Sequence, residues 1–299
     1  MKKIFLLINL FFSLIAFSQN EQLAMNYFDK GDFEKAVVSF EQLAKEQPGN
    51  SLYLQKLVES YQQLQQYDKA QLILEERMKR SPMANLFVEL GYNYQLQKNQ
   101  VKAKKYYEEA IEKVKEVPGY VYLVANAFEK KVLLDYAVET YKLALKLDPK
   151  LKFSFQLAVI YGQQGKTDLM IDTFLDEAFE NPTTLIMIQN QLSRFMTEES
   201  AETSFNASLR KALLVRAQKN QDIFWNQFLS WFYVTQKEYS KAFIQEKAIY
   251  RREPESLSSI VNLGQLSLDE NEEETAQEIF SFVLENTQDI DLKILSNYY

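Results

Sequence analysis

The chain has 299 residues, 46% apolar and 25% charged, with a formal net charge of −7, no histidine, no cysteine, 7 Gly and 6 Pro. Without imidazole or thiol there is no Ser-His-Asp triad, no cysteine nucleophile, no zinc site of thiolate and imidazole, and no side chain that ordinarily titrates between pH 5 and 8. So few glycines and prolines leave little material for the turns of an all-β fold or for phosphate loops, and they favour long helices.

Residues 1–18 read as a secretory signal. Lys2 and Lys3 precede an almost wholly apolar run over residues 4–17, and Ala16 and Ser18 are the small residues a signal peptidase reads. The run is shorter than the roughly 20 residues that span hydrocarbon. The expectation is cleavage before Gln19 and export to a bacterial periplasm, with no cysteine for lipid attachment and no transmembrane segment afterwards. An acidic chain with scattered lysines is a poor match to a phosphate backbone, so nucleic acid is not an expected partner.

Past residue 18 one frame recurs. Leu23, Ala24 and Tyr27 are followed by Gly31, Ala36, Phe40 and Pro48, and the frame returns as Tyr61, Ala70, Leu74 and Pro82. It continues as Leu90, Gly91, Tyr94, Ala103 and Tyr107, then Ala125, Phe128, Ala137, Tyr141 and Pro149, then Ala158, Tyr161, Gly165, Phe174 and Pro182. Alanines 36, 70, 103 and 137 are spaced 34, 33 and 34 apart. Between Pro182 and Asp222 the frame lapses, although residues 183–197 and 201–219 keep an amphipathic helical period. It resumes with Tyr233, Tyr239, Ala242 and Pro254, and again with Leu263, Gly264, Ala276, Phe280 and Val283.

This pattern resembles the tetratricopeptide repeat family: apolar-small-x-x-Tyr on one helix, Ala-x-x-x-Phe on the next, and a closing Pro. Three positions depart from it. Arg77 stands where the family places a small residue, Lys115 replaces a closing proline, and Met170 replaces the usual Ala. The resemblance implies an all-α, right-handed α-α superhelix of about seven to eight helix-turn-helix repeats. The implied organisation is a signal at 1–18, an N-terminal array over 19–182, a degenerate helix pair over 183–222 and a C-terminal array over 223–299. Residues after Asp289 read as the start of an eighth unit, so the last array is expected to be truncated or covered by a partner.

Gly162-Gln-Gln-Gly165-Lys166-Thr167 superficially suggests a phosphate loop, but Ile160 stands where that motif needs its first glycine and a helix stands where it needs a strand. Gly165 is expected at an interhelical turn instead. Acidic pairs such as Glu108-Glu109 point about 100° apart on a helix and do not converge. No catalytic residue, cofactor or metal is therefore expected.

What the resemblance implies is protein or peptide binding on a groove lined by the first helix of each repeat. By position these are Gln55, Glu59, Gln62, Tyr92, Gln95, Tyr122, Asn126, Glu129 and Phe155. The Lys and Asn pairs with which some family members grip a terminal carboxylate are missing. Residues 224–233 hold both tryptophans, and Phe224, Phe228 and Trp231 share a helical face that either packs on the degenerate repeat or forms an aromatic partner patch. The expected function is a noncatalytic scaffold or adaptor of the cell envelope. The alternative is a substrate-recruiting repeat region of a larger envelope enzyme or polysaccharide-processing assembly.

Overall fold

One residue with left-handed backbone closes one helix after another: Gly31, Gln65, Lys98, Val132, Gly165, Lys237 and Asn271 all have φ between 57° and 76°. The N–H of the following residue returns each time to the carbonyl five residues earlier, as Asp32 does to Tyr27 and Gln66 to Tyr61, at 2.8–2.9 Å. This is the hydrogen bond that terminates a helix through a left-handed residue and releases the chain into the next one. Only two of the seven positions carry glycine, the residue for which that conformation costs least.

The computed structural model describes residues 20–196, 202–254 and 257–298; the expected signal at 1–18 lies outside them. No strand occurs among the described residues. Contacts divide the chain into two units, ending at Lys152 and beginning at Phe153. The first consists of α1 (20–29), α2 (Phe33–Glu46), α3 (Ser51–Gln63), α4 (Tyr67–Arg80), α5 (Asn85–Leu96), α6 (Gln100–Glu116), α7 (Val121–Lys130) and α8 (Leu134–Leu147). From α2 to α8 each helix packs on the next in sequence, and α5 also meets α7 while α6 meets α8. The all-α helix-pair repeat expected from the sequence is therefore the architecture observed.

Small residues on one helix admit large ones from its partner. A β-carbon on Gly91 would lie 2.4 Å from the Tyr107 ring, so α5 and α6 approach as closely as they do only because residue 91 has none. Ala36, Ala70, Ala103 and Ala137 are all within 1% of full burial, as are Phe40 and Phe128. Burial of such an aromatic side chain contributes about 1.5–3 kcal/mol, the main stabilising term for helices too short to persist alone.

The second unit holds α9 (Ser154–Gln163), α10 (Thr167–Glu180), α11 (Leu185–Met196), α12 (Glu202–Lys219), α13 (Ile223–Thr235), α14 (Tyr239–Tyr250), α15 (Ser258–Asp269), α16 (Glu273–Asn286) and α17 (Ile290–Tyr298). Met170, in the slot of the usual Ala, is accommodated by Gly162 across the helix pair, where a β-carbon would meet its sulfur at 2.6 Å. The degenerate pair is present as α11 and α12, with a 3-10 turn at Pro182–Thr184 before it. Arg216 on α12 bonds Asp172 and Asp176 of α10, each at 2.8 Å, so α12 is tied to α10 as well as packed on α11 and α13.

Candidate functional site

The row of first-helix side chains in the first unit combines polar groups held internally with a few left open. Gln55 donates to Glu59 at 2.9 Å, and Lys56 bonds the other Glu59 oxygen at 2.9 Å while its ammonium lies 3.9 Å over the Phe28 ring. Burial pushes the Glu59 carboxyl up, but hydrogen bonds from Gln55 and Lys56 and the positive charge of Lys131 outweigh it and hold it below its ordinary value. Gln62 is only 6% exposed and donates to Asn93, whose amide in turn donates to the Tyr67 carbonyl. Gln62 is thus an interior bridge between repeats and not groove lining, because its hydrogen bond to Asn93 holds the buried amide against α5.

A second device recurs one repeat apart. Tyr107 donates its hydroxyl to Gln95 at 2.9 Å, and Tyr141 donates to Glu129 at 2.9 Å. In both pairs the first-helix acceptor is occupied by the aromatic residue of its own second helix. Tyr92 is covered by the Lys131 ammonium, 4.9 Å from the ring centroid, and the same ammonium pairs with Glu89 at 3.0 Å. The α7 face is the more exposed part of the row: Tyr122 is 54% exposed, with its ring edge toward Tyr141, and the exposed Asn126 side chain makes no hydrogen bond among the described residues. Asn126 offers both a carbonyl acceptor and an amide donor, the pair that matches one peptide unit.

Phe155 lies on α9 in the second unit, edge-on to Phe174 at 5.3 Å. The expected aromatic patch is mostly interior. Phe228 is 1% exposed and Trp225 3%, and the Trp225 ring stacks on Phe179 at 5.1 Å with the Arg216 guanidinium on the same ring system at 5.8 Å. Phe228 is therefore core; Phe224 and Trp231, each half-buried, touch it at 5.8 and 5.3 Å. The reason is that α13 is apolar on more than one face and is packed by both α12 and α14.

The sequence missed the capping of Tyr92 by Lys131, since Lys131 sits in an interhelical turn and periodicity says nothing of where a turn side chain reaches. Among the described residues no group of three or more Asp or Glu is arranged to hold a metal, and no helix is long and apolar enough to cross a membrane.

Residues 27–85 match the family model described as tetratricopeptide repeat. No curated protein matches the chain in sequence. Among solved structures, the chain is similar to the C-terminal part of a TPR repeat-containing protein from Cytophaga hutchinsonii, at 16% identity and a TM-score of 0.31, over 80% of this chain and 97% of that one. It is also similar to a tetratricopeptide repeat protein from Parabacteroides merdae, at 14% identity and a TM-score of 0.31, over 94% and 97% of the two chains.

Proposed function

From the tetratricopeptide repeat match over residues 27–85, we propose that the protein is a noncatalytic scaffold that holds a protein partner through an extended segment on the first-helix row of its first unit. One observation carries the reading. Along a row whose neighbouring amides and carboxylates are bonded to other side chains, the exposed Asn126 makes no side-chain hydrogen bond among the described residues, and the 54% exposed ring of Tyr122 lies one helical turn before it on α7. A phenol ring and a primary amide one helical turn apart suit a main chain bonded to the amide with a flat side chain laid on the ring. The basic start and apolar run of residues 1–18 support export to a bacterial periplasm, where the scaffold would serve a cell-envelope assembly.

A photo-crosslinking side chain placed at position 126 should trap a protein in living cells, and Tyr122→Ala should abolish the adduct while changing stability by no more than roughly 0.5 kcal/mol. Trapping that survives Tyr122→Ala, or recovery of glycans or small metabolites alone, rejects the reading. N-terminal sequencing of the periplasmic product should begin at Gln19; an uncleaved chain retained in the cytoplasm rejects export.

A further inference from the structure

A second opening in the first unit shares no residue with the first-helix row. It is a cleft of about 740 Å³ where the end of α2, the start of α3 and the last turns of α4 come together. Leu54, Leu57 and Ile73 give it an apolar wall, and Met83 stands at its edge. Around these lie three cations and two carboxylates, but they do not cancel. Glu76 is taken by Arg80 at 3.1 Å, and Glu41 accepts the Tyr61 hydroxyl. Lys45 and Arg77 form no hydrogen bond or ion pair through their side chains among the described residues.

Arg77 is the informative one. It occupies a position where the repeat pattern expects a small residue, it is half-buried, and burial disfavours its charge. Among the described residues the charge that offsets this is Glu89, which is already committed to Lys131 at 3.0 Å. A guanidinium has five donors and no way to lose its charge, so a partly buried one without an acceptor is a standing cost unless an anion meets it. The exposed hydroxyls of Ser51 and Ser81 also line the cleft, with no hydrogen-bond partner among the described residues.

We propose that this cleft binds a protein segment bearing an apolar side chain next to a carboxylate, the apolar group on Leu54, Leu57 and Ile73 and the carboxylate at Arg77 and Lys45. A bare inorganic anion would leave the apolar wall wet. The exposed hydroxyls of Ser51 and Ser81 and the Glu41 carboxylate at the rim can exchange hydrogen bonds with a peptide main chain, which a fatty acid does not have. The cleft volume is that of an ordinary ligand site and takes two or three side chains.

The test pans a displayed library of random heptapeptides against the full chain. Peptides with Asp or Glu beside Leu, Ile, Met or Phe should be enriched, and the best one, made with a fluorophore, should bind saturably by anisotropy. Arg77→Met keeps the side-chain stem and removes the charge; it should weaken binding roughly tenfold or more, as loss of a charged hydrogen bond does. The exposed Lys45→Met should act in the same direction with an unchanged melting temperature, which guards against misfolding of the Arg77 variant. Replacing the peptide's Asp or Glu with Asn or Gln should reproduce the loss. Tyr122→Ala with Asn126→Ala should leave this peptide's affinity untouched, which separates the cleft from the first-helix row. Absence of apolar-acidic enrichment, binding by both cation variants as tight as the parent's, a loss on the Tyr122 and Asn126 changes, or displacement by laurate without peptide enrichment each overturns the inference.

Discussion

The ammonium of Lys131 lies 3.0 Å from the carboxylate of Glu89, with the two side chains only 9% and 14% exposed. Lys131 follows α7, whereas Glu89 is on α5, so this pair ties neighbouring repeats together and lays a cation on Tyr92 at the same time. Removing one partner of a shielded pair leaves an uncompensated charge, which costs more than the pair itself contributes. Lys131→Met should therefore destabilise the protein by about 3 kcal/mol, the low end for a pair that is not wholly buried. Adding Glu89→Gln should restore most of the loss. Urea unfolding of the two single variants and the double variant measures this; a double variant no more stable than Lys131→Met would show that the side chains act separately.

Gly91 should resist even the smallest substitution. Alanine favours a helix over glycine by about 1 kcal/mol, but its β-carbon would lie 2.4 and 2.5 Å from two carbons of the Tyr107 ring and 3.1 Å from the Ala103 carbonyl. The ring is 2% exposed and its hydroxyl is bonded to Gln95, so it has no free direction in which to move. Overpacking of this kind costs about 1–3 kcal/mol. Gly91→Ala should lower the melting temperature, and a rise would mean that α5 and α6 can separate at little cost.

Val132 offers the opposite case. It is a β-branched residue at φ 57° in the turn between α7 and α8, and it is 75% exposed, so its side chain contributes little in return for the backbone strain. Val132→Gly should stabilise the protein by about 1 kcal/mol, the left-handed cost of a residue with a β-carbon. The gain should be smaller for Asn271→Gly, because asparagine tolerates this region. Thermal melts of the two variants side by side test the ranking.

Stability should fall at both ends of the pH scale for different reasons. Burial pushes the Tyr61, Tyr107 and Tyr141 hydroxyls above their ordinary value of 10.0, and the neighbouring carboxylates Glu41 and Glu129 add to it at Tyr61 and Tyr141. A group raised in the folded state contributes fully below its unfolded value and loses that contribution as pH climbs through the folded one. The plateau should therefore end near pH 10, and Tyr107→Phe with Tyr141→Phe should flatten the decline above it. Glu59 is held below its ordinary value of 4.5, so its contribution is present above that pH and lost as pH falls through the folded value. Glu59→Gln should be less acid-sensitive than the parent in chemical denaturation at pH 3 to 5.

The helix-pair period was legible in the residues themselves because it is written in size. Ala36, Ala70, Ala103 and Ala137 each stand one turn before Phe40, Leu74, Tyr107 and Tyr141 on the same buried face of a second helix, and a small residue beside a large one is what lets a partner helix pack closely there. The compensation of Met170 by Gly162 belongs to the same logic, but it becomes visible only when the two helices face each other. The turns were legible at Gly31 and Gly165. They were hidden at Gln65, Lys98, Val132, Lys237 and Asn271, where tertiary packing imposes the left-handed backbone on residues that do not prefer it.

Length, the missing histidine and cysteine, the repeat and the identity of the first-helix row are all determined by the sequence. Which members of that row remain open to a partner is decided by the tertiary structure alone. Gln62, Gln95 and Glu129 have the same polar character as Asn126, yet the first three are bonded to Asn93, Tyr107 and Tyr141 on other helices. Helical periodicity assigns a side chain to a face. Whether its hydrogen bonds are already made depends on what the neighbouring helix brings within 3 Å or so, and that is a property of the packed fold.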